Sequence, residues 1–284
     1  MKIRAGYRIS FDCLNPMPMN LLLSVHPDRR HDLLTPDTVR TNVPCPITMV
    51  TDSFGNLVTR LKAPAGPITL SSNFVIEDSG LPDAQNWAAR QIEVEDLPAE
   101  ALQFLLGSRY CETDRMSSLA WSLFGQVPAG WPRAQAIVDY VHDRIRFGYD
   151  HALPTRTAAQ GHEEQVGVCR DFAHLAVTLF RAMNIPARYC TGYLGDISVP
   201  PVDAPMDFSA WFEAYLEGGW YTFDARHNQP RVGRIVIARG RDAMDVAITH
   251  TFGAAYLTEF QVVTDEVDPC DAAALAASEL IAAE

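Results

Sequence analysis

The segment at 166–184 constrains the fold more than any other part of the sequence. Its apolar side chains recur at intervals of three and four residues, which is the period of a helix with one buried face. Asn184-Ile185-Pro186 ends this pattern, and Gly218-Gly219 further along is typical of a hairpin turn. The sequence therefore predicts an amphipathic helix followed by an antiparallel hairpin. The helix stripe comprises Phe172, Leu175, Ala176, Leu179 and Met183, and the following strands are predicted at 187–194, 209–216, 220–224 and 234–238.

The first 95 residues have a different pattern, with short apolar or alternating stretches between turn-forming residues. Several strands at such spacing favour a β-sandwich. From residue 97 the period becomes helical. Strands are predicted at 2–11, 19–25, 46–51, 56–62 and 67–76, and helices near 97–106, at 115–124 and at 132–145. We therefore expect an α+β protein with a β-rich domain at 1–95, a second domain at 96–270, and an Ala-rich tail at 271–284.

Composition excludes several classes of function. The chain has 284 residues, of which 48% are hydrophobic, and its formal net charge is −12. Such an acidic balance argues against nucleic acid or an anionic membrane as a partner. The sequence has no apolar run of about 18 residues, so no membrane span is predicted. The N-terminal segment lacks the apolar core of an export signal, so no export is predicted.

Six cysteines are scattered along the chain without a Cys-x-x-Cys pair. That spacing predicts neither a zinc site nor a dense disulfide framework. We therefore expect reduced thiols, a cytoplasmic location, and no metal or cofactor. Most of these cysteines should be small hydrophobic residues in the core.

Cys169 differs from the other cysteines because it stands at the predicted start of the helix. The unpaired N–H groups and the dipole of a helix N-terminus favour an anion, so we expect a lowered pKa and a thiolate near neutral pH. Gly167 should let the chain turn sharply into the helix. Asp171 opposes thiolate formation slightly through its charge. The alternative interpretation is a thiol that is simply packed in the core.

A nucleophilic cysteine needs a base, and the base needs an orienting group. Asp224 is a candidate orienting group because it ends the predicted strand at 220–224. Strand alternation and an even-length turn place Asp224 on the same face as Ser209, Trp211, Glu213 and Tyr215. The register between the two strands cannot be derived from the sequence.

Five blocks of residues, in order and at characteristic intervals, resemble the bacterial transglutaminase-like superfamily. They are Gly167-Val-Cys169-Arg-Asp-Phe172, Asn184-Ile-Pro186-Ala-Arg-Tyr189, Gly192-Tyr193-Leu194, Ala210-Trp211-Phe-Glu213 and Trp220-Tyr-Thr-Phe-Asp224. The resemblance implies a papain-like core at 96–270, with the nucleophile helix packed on an antiparallel sheet, and a β-rich domain before it. It also implies a Cys–His–Asp triad and acyl transfer from peptide or related amides, with Cys169 and Asp224 at the nucleophile and aspartate positions.

The chain departs from the family at the histidine, which usually precedes the Ala-Trp pair. Ser209 occupies that position here. A serine cannot act as a base near neutral pH, so either another histidine replaces it or the ordinary chemistry is lost. His227 is a candidate replacement base if the strand ends at Asp224 and a turn brings it back. His162, in the polar segment before the helix, is a second candidate.

Other histidines are weaker candidates. His174 should point away from Cys169, on the helix surface, and His142 should face solvent or fill a gap. Among further cleft residues, Trp211, Glu213 and Tyr215 are candidates for contact with a peptide or protein substrate, although packing or ion pairing also explains each.

Three hypotheses remain open from the sequence. The first is a cysteine protease, amidase or transglutaminase-like acyltransferase that forms a thioester. The second is a catalytically lapsed module that binds a peptide or protein, which Ser209 favours. The third is a regulatory thiol protein in which Cys169 is oxidised and reduced.

Overall fold

Extended chain dominates the N-terminal third, as the alternation of buried and exposed residues predicts. The computed structural model describes residues 1–202 and 206–267, so Cys270 and the predicted tail at 271–284 lie outside the described residues. Strands occur in all five predicted segments, although the one predicted at 19–25 ends at Leu21. The strands are β1 (Lys2–Cys13), β2 (Met17–Leu21), β3 (Arg40–Thr41), β4 (Ile47–Thr51), β5 (Leu57–Ala63) and β6 (Gly66–Glu77), of which only the short β3 was not predicted.

The middle of the chain is helical, with two short strands between helices. The predicted helices are confirmed within a few residues, but the first is only one turn long. The helices of this region are α1 (Ala99–Leu102), α2 (Thr113–Phe124), α3 (Trp131–Arg144), α4 (Ala158–Glu164) and α5 (Cys169–Ala182), with β7 (Arg146–Phe147) and β8 (Val166–Gly167) between them. Helix α4 was not predicted, because its segment was described only as polar. A reciprocal pair of hydrogen bonds between Thr157 and Gln160 caps its N-terminus.

Helix α5 packs against a four-stranded antiparallel sheet. The sheet comprises β9 (Ala187–Tyr193), β10 (Ser209–Leu216), β11 (Gly219–Phe223) and β12 (Ile235–Gly240), in the order β11-β10-β9-β12. Phe180 of α5 contacts Phe212 of β10, with ring centroids 5.0 Å apart. Pairing of Glu213 with Thr222 confirms that the Ser209 and Asp224 faces coincide.

Two C-terminal strands return to the N-terminal region, which the sequence did not predict. Strand β13 (Thr249–Thr251) pairs with β2, and β14 (Ala255–Glu266) pairs along β1. The resulting sheets have the orders β13-β2-β5-β4 and β14-β1-β6-β3. The sandwich-like sheets contain strands from both the N-terminal and the C-terminal regions. The domain boundary at residue 96 therefore stays a prediction.

The β-rich region and the helix-on-sheet region share buried residues. Phe74 of β6 packs against Tyr193 of β9, with ring centroids 5.7 Å apart, and Ile3, Tyr193 and Ile235 belong to one hydrophobic cluster. The helices together with several antiparallel sheets confirm the expected α+β class, with a β-sandwich-like N-terminal region next to a papain-like core. Within 1–202 and 206–267, no helix has the length and apolar character needed to cross a membrane.

Candidate active site

Cys169 is the first residue of α5, as predicted. The first turn is closed by Asp171, whose carboxylate accepts a hydrogen bond from the Val168 N–H at 2.9 Å. The N–H of Asp171 donates in return to the Val168 carbonyl at 2.8 Å. A Cβ at Gly167 would lie 2.6 Å from the Asp171 side chain. Close approach of Asp171, rather than chain flexibility, therefore explains the glycine.

Asp171 does not present an unbalanced negative charge to Cys169. Its carboxylate is buried and lies 3.2 Å from Arg156 and 3.3 Å from Arg170. Two guanidinium groups on one carboxylate offset its repulsion of a nearby anion. The opposing effect expected from Asp171 is therefore largely cancelled.

The thiol of Cys169 nevertheless has an unfavourable environment for ionisation. Burial raises its pKa to about 11, from an ordinary value of 9.0. Arg226 and the Ala210 N–H favour the thiolate, whereas Asp207 and Asp224 disfavour it. Burial therefore works against the thiolate expected near neutral pH, because desolvation disfavours the charged form of the thiol. A thiol whose pKa is raised in this way needs a base to become a nucleophile near neutral pH.

Asp224 and His227 form a hydrogen-bonded pair through a tight turn. Strand β11 ends at Phe223, and the N–H groups of Arg226 and His227 then donate to one Asp224 carboxylate oxygen at 3.0 and 3.1 Å. The other oxygen accepts a hydrogen bond from His227 Nδ1 at 2.8 Å. The turn foreseen as one of two outcomes therefore occurs, and it brings His227 back to Asp224.

The Asp224 hydrogen bond determines which ring nitrogen of His227 is available. Because a carboxylate accepts and Nδ1 donates, the neutral ring carries its lone pair on Nε2. His227 and Cys169 both line a cavity of about 410 Å³. We call this the Cys169 cavity, and its walls also include Phe147, Ser209 and Arg226. The Arg226 guanidinium lies 3.8 Å from the centre of the Phe147 ring.

The Asp224 carboxylate stays ionised despite its burial. Burial alone would raise its pKa, but Arg234 and the hydrogen bonds from His227 outweigh this effect and hold the pKa well below its usual range. Arg234 Nη2 lies 2.9 Å from the same oxygen that His227 contacts. An ionised Asp224 can therefore orient His227 and stabilise an imidazolium.

Ser209 lies in the wall of the Cys169 cavity, at the position where the family has histidine. Its side chain is buried, with 7% of the residue exposed. Among the described residues, its hydroxyl has no hydrogen-bond partner. No imidazole therefore approaches the cavity from β10, and the only histidine that lines it among the described residues is His227.

The three predicted substrate contacts on the hairpin do not line the Cys169 cavity. Trp211 is buried beneath Arg234, whose guanidinium carbon lies 5.0 Å from the centre of the Trp211 ring. Glu213 is buried in an ion pair with Arg239 at 3.0 Å and in another with Arg188. Tyr215 packs against Trp220, with ring centroids 5.2 Å apart. These three residues therefore pack or form ion pairs, which were the alternatives to substrate contact.

The remaining candidate histidines have structural partners elsewhere. His162 lies in α4 and hydrogen-bonds the Tyr140 hydroxyl at 2.7 Å, so it does not cover Cys169. His174 is fully buried, not on the helix surface as expected, and stacks on Tyr110. His142 donates to the backbone carbonyls of 225 and 226, and so ties the turn after β11 to α3. The described residues contain no group of three or more side chains suited to a metal ion.

Comparison with known proteins agrees with this arrangement. The Transglutaminase-like superfamily model matches residues 119–225. A crystal structure from Cytophaga hutchinsonii, named "Putative Cysteine Protease", is 30% identical, with a TM-score of 0.82 and coverage of 94% of this chain and 91% of that one.

Mycobacterial proteins are also similar in sequence. An uncharacterized protein of Mycobacterium leprae is 34% identical over 107 residues, which are 35% of this chain and 37% of that protein. An uncharacterized protein of Mycobacterium tuberculosis H37Rv is 28% identical over 223 residues, covering 69% of this chain and 68% of that protein. The chain thus spans little more than a third of the Mycobacterium leprae protein. With the family match and the similarity along nearly the whole Cytophaga structure, the chain belongs to the transglutaminase-like superfamily.

Proposed function

We propose that the protein is a cysteine-nucleophile acyl-transfer enzyme that cleaves peptide or related amide bonds. Cys169 is the nucleophile, His227 is the general base in place of the missing family histidine, and Asp224 orients His227. The observation that carries this proposal is the 2.8 Å hydrogen bond between His227 Nδ1 and Asp224, beside the cavity that Cys169 lines.

The proposed reaction begins with a neutral thiol, because burial raises the pKa of Cys169. His227 Nε2 takes the thiol proton as sulfur attacks the amide carbonyl carbon, and the carbonyl oxygen gains the negative charge. Free N–H groups in the first turn of α5 are suited to stabilise that oxyanion. The imidazolium then protonates the leaving nitrogen, the C–N bond breaks, and a thioester on Cys169 remains.

A second nucleophile completes the cycle. Water, or an amine in a transamidation, gives a proton to His227 and attacks the thioester carbonyl. The tetrahedral adduct collapses, the C–S bond breaks, and the proton returns to the Cys169 sulfur. We propose peptide or protein substrates for this cycle and a cytoplasmic location, where a thiol nucleophile stays reduced. The free thiols of Cys13, Cys45, Cys111 and Cys190 are compatible with that location.

A panel of peptidyl amides with a fluorescent leaving group tests the proposal. We expect turnover by the wild type, loss of turnover in Cys169→Ala, and a loss of about 10²- to 10⁴-fold in His227→Ala. Cys45→Ala is the matched control because its thiol is also partly buried but lies in the β-rich region. Turnover that survives Cys169→Ala refutes the nucleophile, and turnover that survives His227→Ala refutes the base.

One observation favours a different function, a lapsed module that binds peptides. Ser209 stands where the family has its base, and its buried hydroxyl has no partner among the described residues. The variant Ser209→His separates the two functions. If His227 is the base, the wild type is active and the variant changes its rate only a few-fold. If the triad has lapsed, only Ser209→His hydrolyses the amides.

A further inference from the structure

Arg234 joins Asp224 to a second carboxylate that lies far from it in sequence. Arg234 Nη2 donates to Asp224 at 2.9 Å, and Arg234 Nε donates to both Asp83 oxygens at 3.1 and 2.9 Å. The arginine side chain is 7% exposed, and the carboxylates of Asp83 and Asp224 are 14% and 2% exposed. A rigid guanidinium that contacts two carboxylates has few alternative orientations.

Asp83 is held in place independently of Arg234. It lies in the connecting segment, residues 78–98, which runs from the end of β6 to the start of α1. The N–H of Asp83 donates to the Arg231 carbonyl at 2.9 Å, and its carboxylate accepts from the Arg231 N–H at 2.9 Å. This reciprocal pair fixes the Asp83 carboxylate against the chain that leads into β12. Asp83 can therefore fix Arg234 rather than follow it.

The aromatic ring of Trp211 limits the remaining freedom of Arg234. The guanidinium carbon lies 5.0 Å from the ring centre, within the range of a cation–π contact. Asp83, Asp224 and Trp211 thus surround one buried cation on three sides. If Arg234 moved, Asp224 would lose its charge partner at the same oxygen that accepts the His227 hydrogen bond.

We infer that Asp83 and Arg234 are positioning residues that extend the proposed Cys169–His227–Asp224 site into the connecting segment. Asp83 fixes Arg234, and Arg234 fixes the ionised Asp224. Asp224 in turn orients His227 so that Nε2 can accept the thiol proton. This inference rests on the proposed function. It adds that the segment between the sandwich-like sheets and the first helix helps to set the geometry of the base.

The isosteric variant Asp83→Asn tests the inference. It keeps an oxygen for hydrogen bonding but removes the charge that fixes Arg234. We expect acylation of Cys169 by p-nitrophenyl acetate to slow by about tenfold, because a misplacement of about 1 Å can cost about 10²-fold. For an amide substrate, kcat should fall while KM stays unchanged. Nitrogen-15 NMR should show His227 moving from the Nδ1–H tautomer towards a mixture.

Asp78→Asn is the matched control from the same segment. Asp78 pairs with Arg29 at 3.2 Å, and Arg29 donates to the Arg234 backbone carbonyl rather than to its guanidinium. If both variants lower the unfolding midpoint alike, and neither changes the acylation rate or the His227 tautomer, the segment is only structural and the inference is wrong. A change confined to Asp83→Asn supports it.

The two proposals can fail separately. If wild-type Cys169 is not acylated at all, the proposed function fails and the His227 tautomer alone decides the inference. A tautomer that changes in Asp83→Asn, and not in Asp78→Asn, then still supports the coupling from Asp83 to His227. An unchanged tautomer overturns it. If the wild type is acylated and Asp83→Asn is acylated equally fast, the inference fails while the proposed function stands.

Discussion

Replacing Arg234 with methionine should destabilise the fold in a way that depends on pH. The side chain of Asp224 is 2% exposed and depends on Arg234 for charge compensation. Removing one partner of a buried ion pair leaves the other charge uncompensated and costs about 3–5 kcal/mol. Arg234→Met also removes the ion pair with Asp83. We expect the free energy of unfolding at pH 7 to fall by an amount within this range.

The sign of the pH dependence follows from the pKa of Asp224. In the wild type, this pKa is held well below its usual range. Asp224 therefore contributes its full stabilisation above the unfolded-state pKa of about 3.9, and loses it as pH falls further towards the folded-state value. Without Arg234, burial moves the folded-state pKa upward. The variant can then protonate Asp224 in mild acid, so its deficit relative to wild type should shrink between pH 7 and pH 4.5.

Urea unfolding followed by tryptophan fluorescence measures both quantities. The free energy of unfolding is compared between wild type and Arg234→Met at pH 7.0 and at pH 4.5. Arg90→Met is the control because its ion pair with Glu217 is exposed, and such pairs contribute little. A deficit below about 1 kcal/mol at pH 7, the range of an exposed pair, would refute the buried-pair reasoning. A deficit that grows on acidification would refute the assigned role of Asp224.

Three further predictions test other parts of the account. In His227→Ala, where no base takes the thiol proton, iodoacetamide should alkylate Cys169 at a rate that rises about tenfold per pH unit from pH 7 and levels off near the pKa of about 11, and a plateau below pH 8 would show an ionised thiol instead. Gly167→Ala should lower the free energy of unfolding by about 1–3 kcal/mol, because its Cβ would overlap Asp171, and unchanged stability by urea unfolding would contradict this. Glu213→Gln should destabilise the protein, as seen by a lower unfolding midpoint, while Cys169 acylation in the folded protein stays unchanged. A lower acylation rate with an unchanged unfolding midpoint would instead support substrate contact by Glu213.

The strands and helices were predicted well where local pattern determines them. Helix α5 and the hairpin of β10 and β11 follow from apolar period and from Gly218-Gly219, which have φ angles of +97° and +132°. The pairing of β14 with β1 could not be predicted in the same way. Its partner lies about 250 residues away, and strand alternation carries no information about which edge a strand joins.

The candidate site shows a similar division. Position in the sequence predicted Cys169 at a helix start and Asp224 at a strand end, and both locations are confirmed. The pKa of Cys169 could not be predicted, because it depends on burial by residues that are distant in sequence. The ionic contacts of Arg234 were also missed, since Asp83 lies 151 residues away from it. The only signal was the aspartate itself, which follows the predicted strand at 67–76.

Acetyl transfer from p-nitrophenyl acetate to Cys169 tests the central claim most directly. This activated ester bypasses substrate specificity, releases p-nitrophenol, and leaves an acetyl thioester that mass spectrometry assigns to one cysteine. At pH 7 we expect the wild type to be acetylated on Cys169 about 10²- to 10⁴-fold faster than His227→Ala, since a neutral thiol requires its base. Equal rates in the two proteins, or acetylation that avoids Cys169, would contradict the account.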